Sequence, residues 1–142
     1  MPRSKSVDKA YASGACALTG IVVRGRALGR TIGFPTANLR LDAGQSLPPH
    51  GVYAAICETD GKAYAGMTNV GMRPTVDDSP AVTVENWLSD FSGDLYGKRM
   101  RVTLLARIRG VQRFEDLNAL KAQLARDREE AVRICAEYLK RQ

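Results

Sequence analysis

Every strand-like segment of this chain precedes its one long helical stretch, and that order leaves few folds open. Arg99 to Arg109 alternates with period two, setting Met100, Val102, Leu104, Ala106 and Ile108 against Arg101, Thr103, Arg107 and Arg109, as a half-buried antiparallel strand does. Val82 to Asp90 alternates as well, with Val82, Val84, Asn86, Leu88 and Asp90 on one face and Thr83, Glu85, Trp87 and Ser89 on the other. Ala17 to Arg24, Pro35 to Leu41, Val52 to Thr59 and Lys62 to Thr68 bring the number of expected strands to six, and Asp60-Gly61 marks a tight hairpin between the last two of these. Gly25 to Gly33, Gly44 to Pro49 and Met72 to Pro80 read as loops. From about Phe114 to Leu139, Leu117, Leu120, Leu124, Ala131, Ile134 and Tyr138 recur at helical spacing. Glu115 and Asp116 stand at the start and Lys140 and Arg141 at the end, which suits the helix dipole. The pattern predicts an all-β fold, an antiparallel barrel or sandwich, with a long C-terminal α-helix packed against it.

A length of 142 residues fits one domain with one core. The basic opening, with Arg3, Lys5 and Lys9, lacks the apolar stretch of a signal peptide, so residues 1–14 are expected to be a flexible tail and residues 15–142 the domain. No run of about 18 apolar residues is present, so no membrane span is expected. Cys16, Cys57 and Cys135 are widely separated and accompanied by a single histidine, His50, which supports neither a disulfide framework nor a zinc site and points to reduced thiols in the cytoplasm. The net charge of +6 suits an acidic ligand and does not choose among nucleotide, nucleic acid and membrane surface. A nucleic-acid barrel would interleave aromatics with its basic residues, whereas Arg101 to Arg109 carries arginines and no aromatic.

Two stretches carry candidate chemistry. In Gly25-Arg26-Ala27-Leu28-Gly29-Arg30, glycines permit close backbone approach to a phosphate and arginines neutralise it. Gly20 and Gly25 have P-loop spacing, but Arg26-Ala27 stands where Lys-Ser/Thr is required, so that motif is excluded. In Gly33-Phe34-Pro35-Thr36-Ala37-Asn38, Thr36 and Asn38 put two neutral oxygens on one face of an extended segment, either as magnesium ligands or as part of a turn into a strand. Glu85, between Val84 and Asn86, is by its pattern either a solvated acid or a base aimed into a site.

Taken in order, several blocks resemble the riboflavin kinase family. They run from Gly20-x-Val22-x-x-Gly25 through Gly33-x-Pro35-Thr36-Ala37-Asn38-Leu39, Gly51-Val52-Tyr53-Ala54, Asn69-Val70-Gly71-Met72-Arg73-Pro74-Thr75 and Val84-Glu85 with Asp90-Phe91, to Asp94-Leu95-Tyr96-Gly97. The resemblance covers about Gly20 to Asp127 and implies a six-stranded antiparallel Greek-key β-barrel with a C-terminal helix, and an enzyme that makes FMN and ADP from riboflavin and ATP with Mg2+. It assigns Thr36 and Asn38 to the metal and Glu85 to catalysis. It sets Gly25, Arg30, Leu88, Asp90 and Tyr96 at the nucleotide, and Arg109, Gln112 and Phe114 at the flavin. The length implies a stand-alone kinase, acting as a cytoplasmic monomer without nucleic acid or membrane. The alternative is a non-catalytic flavin- or nucleotide-binding regulatory module on the same barrel. Asp127 falls on the apolar stripe of the helix, where a salt bridge within the domain is the expected role. The chain departs from the family at Asn86-Trp87, where Thr-His is common, and at Val111, where an acid is usual; both bear on the flavin pocket.

Overall fold

The structure, a computed structural model, describes residues 16–23, 36–73 and 81–141. The strands are β1 (Ala17–Val23), β2 (Ala37–Leu41), β3 (Gly51–Thr59), β4 (Lys62–Arg73), β5 (Ala81–Leu88) and β6 (Arg99–Arg109), followed by helix α1 (Leu117–Lys140). They close into an antiparallel barrel in the order β1-β2-β5-β4-β3-β6, with β6 returning to β1. Hairpins join β3 to β4 and β4 to β5, while the β2–β3 and β5–β6 connections cross between non-adjacent strands, which makes the path a Greek key. The expected tail and the Gly25–Gly33 loop lie outside the described residues.

Alternation accounts for two cores. The inner residues Leu18, Val22, Leu39, Tyr53, Val70, Val84, Leu88, Met100, Val102 and Leu104 fill the barrel. On the outer wall Val52, Ala54, Ile56, Met67 and Leu105 meet Ala131 and Cys135 of α1, with Trp87, Leu124, Ile134 and Tyr138 packed around them. Asp60 and Gly61 both take positive φ, 54° and 75°, as a two-residue hairpin with matched strand twist requires.

Three expectations are corrected. Met72 and Arg73 are not loop; they extend β4, because Val82 and Ala81 continue the ladder opposite them. The helix starts at Leu117 rather than near Phe114, since Asp116 is its N-cap, with extended backbone and a side chain accepting from the Ala119 N–H at 2.8 Å; Leu117 itself is exposed. The alternation of β6 fails after Leu104. Register shifts opposite Ala54/Ala55 and Val52/Tyr53 insert extra residues, turning Leu105 and Ile108 to the helix side.

Asn86 occupies an inner position and is 1% exposed. Its Oδ1 accepts from the Thr68 hydroxyl at 2.7 Å and its Nδ2 donates to the Ala37 carbonyl at 3.2 Å, tying β4, β5 and β2 together. Asn86→Ala strands the Thr68 hydroxyl in the core and is expected to cost about 1–3 kcal/mol, read as a lower urea midpoint with an unchanged slope. Cys57 and Cys135 are buried and burial pushes both thiols up, so they behave as small core residues.

Candidate active site

Strand pairing assembles the site on the outer face of the barrel. Val84, Asn86 and Leu88 point inward, so Glu85 and Trp87 point outward. On β2, Leu39 is interior, so Asn38 faces outward. The register then makes Asn38 the direct partner of Glu85. Directly opposed residues have Cβ atoms about 4.5–5.5 Å apart, so the carboxamide and the carboxylate sit side by side. Both are half-buried. Thr36 stands two residues before Asn38 and is half-buried too; between them, the Ala37 carbonyl is the group that Asn86 holds from inside the barrel. The Asn86-Trp87 departure therefore splits in two. Asn86 secures the segment that carries Thr36 and Asn38, and Trp87 packs at the edge of the helix with the Arg128 guanidinium 5.4 Å from its ring centre.

The same ladder row continues beyond Glu85. On its other side Glu85 pairs with Asn69 of β4, Asn69 with Val52 of β3, and Val52 with Arg109 of β6. One line across the barrel wall thus runs Asn38, Glu85, Asn69, Val52, Arg109. It joins the residues expected at the metal and in catalysis to the arginine expected at the flavin, with Asn69, which carried no expected role, between them. Nothing in the order of residues announces that proximity, because Asn69 meets Glu85 only through the β4–β5 register.

At the far end of the row, Arg109 Nε and Nη2 both donate to Asp127 Oδ2 at 2.8 Å, and Nη1 donates to the Gly110 carbonyl at 3.1 Å. Asp127 is 1% exposed and its second oxygen accepts from Gln123 Nε2 at 2.8 Å. The acid on the apolar stripe is therefore the buried half of a salt bridge that pins α1 to the end of β6. The Phe114 ring lies under the same guanidinium, 5.5 Å from centroid to Cζ. Phe114 is half-buried and Gln112 exposed in the segment before the helix; Val111, the second departure, is largely exposed.

The expected nucleotide residues are more scattered. Tyr96 is exposed in a turn where the Gly97 N–H donates to the Val22 carbonyl at 2.8 Å and the Val22 N–H to the Lys98 carbonyl at 2.9 Å, which places it beside the end of β1. Asp90 is exposed after β5, with φ of 58°, at a groove lined also by Trp87, Ser89, Arg128 and Val132. Leu88 is 7% exposed in the barrel core, so any contact with a nucleotide falls to its backbone. Gly25 and Arg30 lie outside the described residues. Among the described residues no cluster of three His, Cys, Asp or Glu side chains could hold a metal. Thr36 and Asn38 offer neutral oxygens, which fit a magnesium ion that takes its anionic ligands from a nucleotide. No helix of the described residues is long and apolar enough to cross a membrane.

Residues 13–135 match the family model described as Flavokinase, riboflavin kinase. The bifunctional riboflavin kinase/FMN adenylyltransferase of Escherichia coli K12 is 47% identical over 112 residues, which are 78% of this chain and 35% of that protein. The chain spans little more than a third of the length of the bifunctional relatives it matches. Among solved structures, a Streptococcus pneumoniae protein called a macrolide-efflux protein superposes with a TM-score of 0.77 and 34% identity, covering 92% of this chain and 46% of that one. The riboflavin kinase of Trypanosoma brucei superposes with a TM-score of 0.53 and 26% identity, covering 78% of this chain and 71% of that one.

Proposed function

The chain belongs to the riboflavin kinase family, and on that premise we propose that it transfers the γ-phosphate of ATP to the 5′-hydroxyl of riboflavin, giving FMN and ADP, with Glu85 as the base. The observation that carries this reading is the direct pairing of Asn38 with Glu85 on the outer face of the barrel. A metal ligand and a proton acceptor on neighbouring strands suit phosphoryl transfer, where positioning and charge neutralisation do most of the work.

Thr36 and Asn38 would hold the Mg2+, with Asn86 fixing the backbone between them. When bound, the ion neutralises phosphate charge in the transition state. Glu85 orients the flavin hydroxyl and takes its proton as the oxygen bonds to the γ-phosphorus and the bond to the β-phosphate bridging oxygen breaks. No phosphoenzyme forms. Gly25, Arg30, Asp90, Tyr96 and the backbone at Leu88 would serve the nucleotide, and Gln112 and Phe114 the flavin. Arg109, held by Asp127, would serve by keeping Phe114 and the helix in place. Action as a cytoplasmic monomer without nucleic acid is part of the same proposal.

The reading is tested by ADP release. ADP should form at a rate that rises with riboflavin and requires Mg2+; riboflavin binding with no ADP would favour the regulatory module. Asn38→Ala should raise the Mg2+ concentration for half-maximal rate several-fold, as loss of a ligand requires. A superimposable magnesium titration would remove Asn38 from the metal.

A further inference from the structure

The seam that sets Asn38 beside Glu85 is short. Among the described residues β2 and β5 pair only at Ala37–Asn86 and Asn38–Glu85, whereas β4 and β5 pair from Gly66–Leu88 to Arg73–Ala81. Two neighbouring rows cross that seam. Asn38, Glu85 and Asn69 form the outward one, and Ala37, Asn86 and Thr68 the inward one, against the barrel core. The inward row is bonded through its side chains. The Thr68 hydroxyl donates to Asn86 Oδ1 at 2.7 Å, and Asn86 Nδ2 donates to the Ala37 carbonyl at 3.2 Å. Thr68 is 0% and Asn86 1% exposed, so bulk water does not compete for these bonds. A backbone carbonyl can only accept, so the carboxamide holds Ala37 only with its nitrogen turned to β2 and its oxygen to β4. The Thr68 hydroxyl fixes that orientation by donating to the oxygen; a residue without a donor there would leave a buried acceptor unmet and the carboxamide free to turn. Ala37 stands between Thr36 and Asn38, so the position of its carbonyl sets how those two side chains lie to each other. Magnesium demands near-octahedral geometry with ligands about 2.0–2.1 Å away, and a small displacement of either oxygen is costly to it.

Resting on the kinase reading above, we infer that Thr68 is a positioning residue for the metal: acting through Asn86 on the Ala37 carbonyl, it holds Thr36 and Asn38 in the spacing that Mg2+ requires. It touches neither the ion nor a substrate, being closed off inside the barrel. A hydroxyl on β4 thus sets the magnesium affinity of oxygens carried by β2.

Calorimetric titration of ADP into the protein with and without Mg2+ measures the part of the nucleotide affinity that depends on the ion. Thr68→Val, which exchanges the hydroxyl for a methyl group and keeps the shape, should reduce that part about tenfold, the low end of the effect of partners that orient metal ligands, and leave the metal-free affinity unchanged. Thr68→Ser keeps the donor and should behave as the intact protein. With no ligand present, the Asn38 amide should exchange its hydrogen faster in Thr68→Val, while amides of the β3–β4 hairpin keep their rates. Thr68→Ala, which also lacks the hydroxyl and cannot crowd the core, decides the matter if the valine variant does not fold. An unchanged Mg2+-dependent affinity in the variants without the hydroxyl, even with a lowered urea midpoint, overturns the inference and leaves the kinase reading standing. Equal losses with and without the ion, or a serine variant as impaired as the valine one, do the same. An intact protein that binds ADP equally with and without Mg2+ overturns the metal assignment of the kinase reading, and the role of Thr68 with it.

Discussion

Glu85→Gln is expected to lower kcat by about 10²–10⁴-fold, the usual contribution of a positioned base, with riboflavin affinity little changed. The substitution keeps size and a hydrogen-bonding group, so the Asn38–Glu85–Asn69 row stays filled and only the proton acceptor is lost. Rapid-mixing turnover measured alongside fluorescence titration separates the two effects. Loss of binding with an unchanged rate constant would make residue 85 a substrate-holding group and move the base elsewhere.

Asp127→Ala is expected to give the largest loss of stability. Asp127 is almost fully buried and is the acceptor for two nitrogens of Arg109 and for Gln123, so its removal leaves a guanidinium at 16% exposure without its counter-charge. Breaking a buried pair in this way costs about 3–5 kcal/mol. In a domain of this size that lowers the melting temperature by roughly 10–20 °C. The effect reaches the flavin end of the row, because the same guanidinium lies over Phe114 and ties α1 to β6. Asp127→Asn, which can still accept from Arg109, should lie well between Ala and the intact protein. An unchanged melting temperature for Asp127→Ala would show that the bridge does not secure the helix.

The barrel was largely legible from local pattern. Period-two runs at Val82–Leu88 and Met100–Leu104, the Asp60-Gly61 turn and the amphipathic helix each fall on an element, since each reflects burial on one face. But β5 ends at Leu88, with Ser89 and Asp90 in a turn rather than in the expected strand, and the helix begins only at Leu117. Where the pattern misled, tertiary pairing was the cause. Leu105 and Ile108 turn to the helix through register shifts that leave no mark on the sequence of β6 alone, and Met72 and Arg73 remain in a strand because β5 runs past them. Asp127 was conspicuous as an acid on an apolar stripe, and its partner Arg109 is 18 residues away. Of the site, Thr36, Asn38 and Glu85 could be picked out by residue type and family resemblance. Their adjacency could not, for it depends on which strand lies between β2 and β4 in the barrel. For the same reason Asn69 had no role until the ladder row placed it beside Glu85, and Asn86 looked like a change in the flavin pocket until its bond to the Ala37 carbonyl was seen.

The most direct measurement is to incubate the purified protein with riboflavin, ATP and Mg2+ and to separate the flavins by chromatography, with metal-free and Glu85→Gln samples run beside it. The account predicts an FMN peak that grows with time, disappears without metal and is reduced by at least about a hundredfold in Glu85→Gln. Riboflavin that is bound but emerges unphosphorylated in the complete mixture, or FMN made as fast by Glu85→Gln, would contradict it.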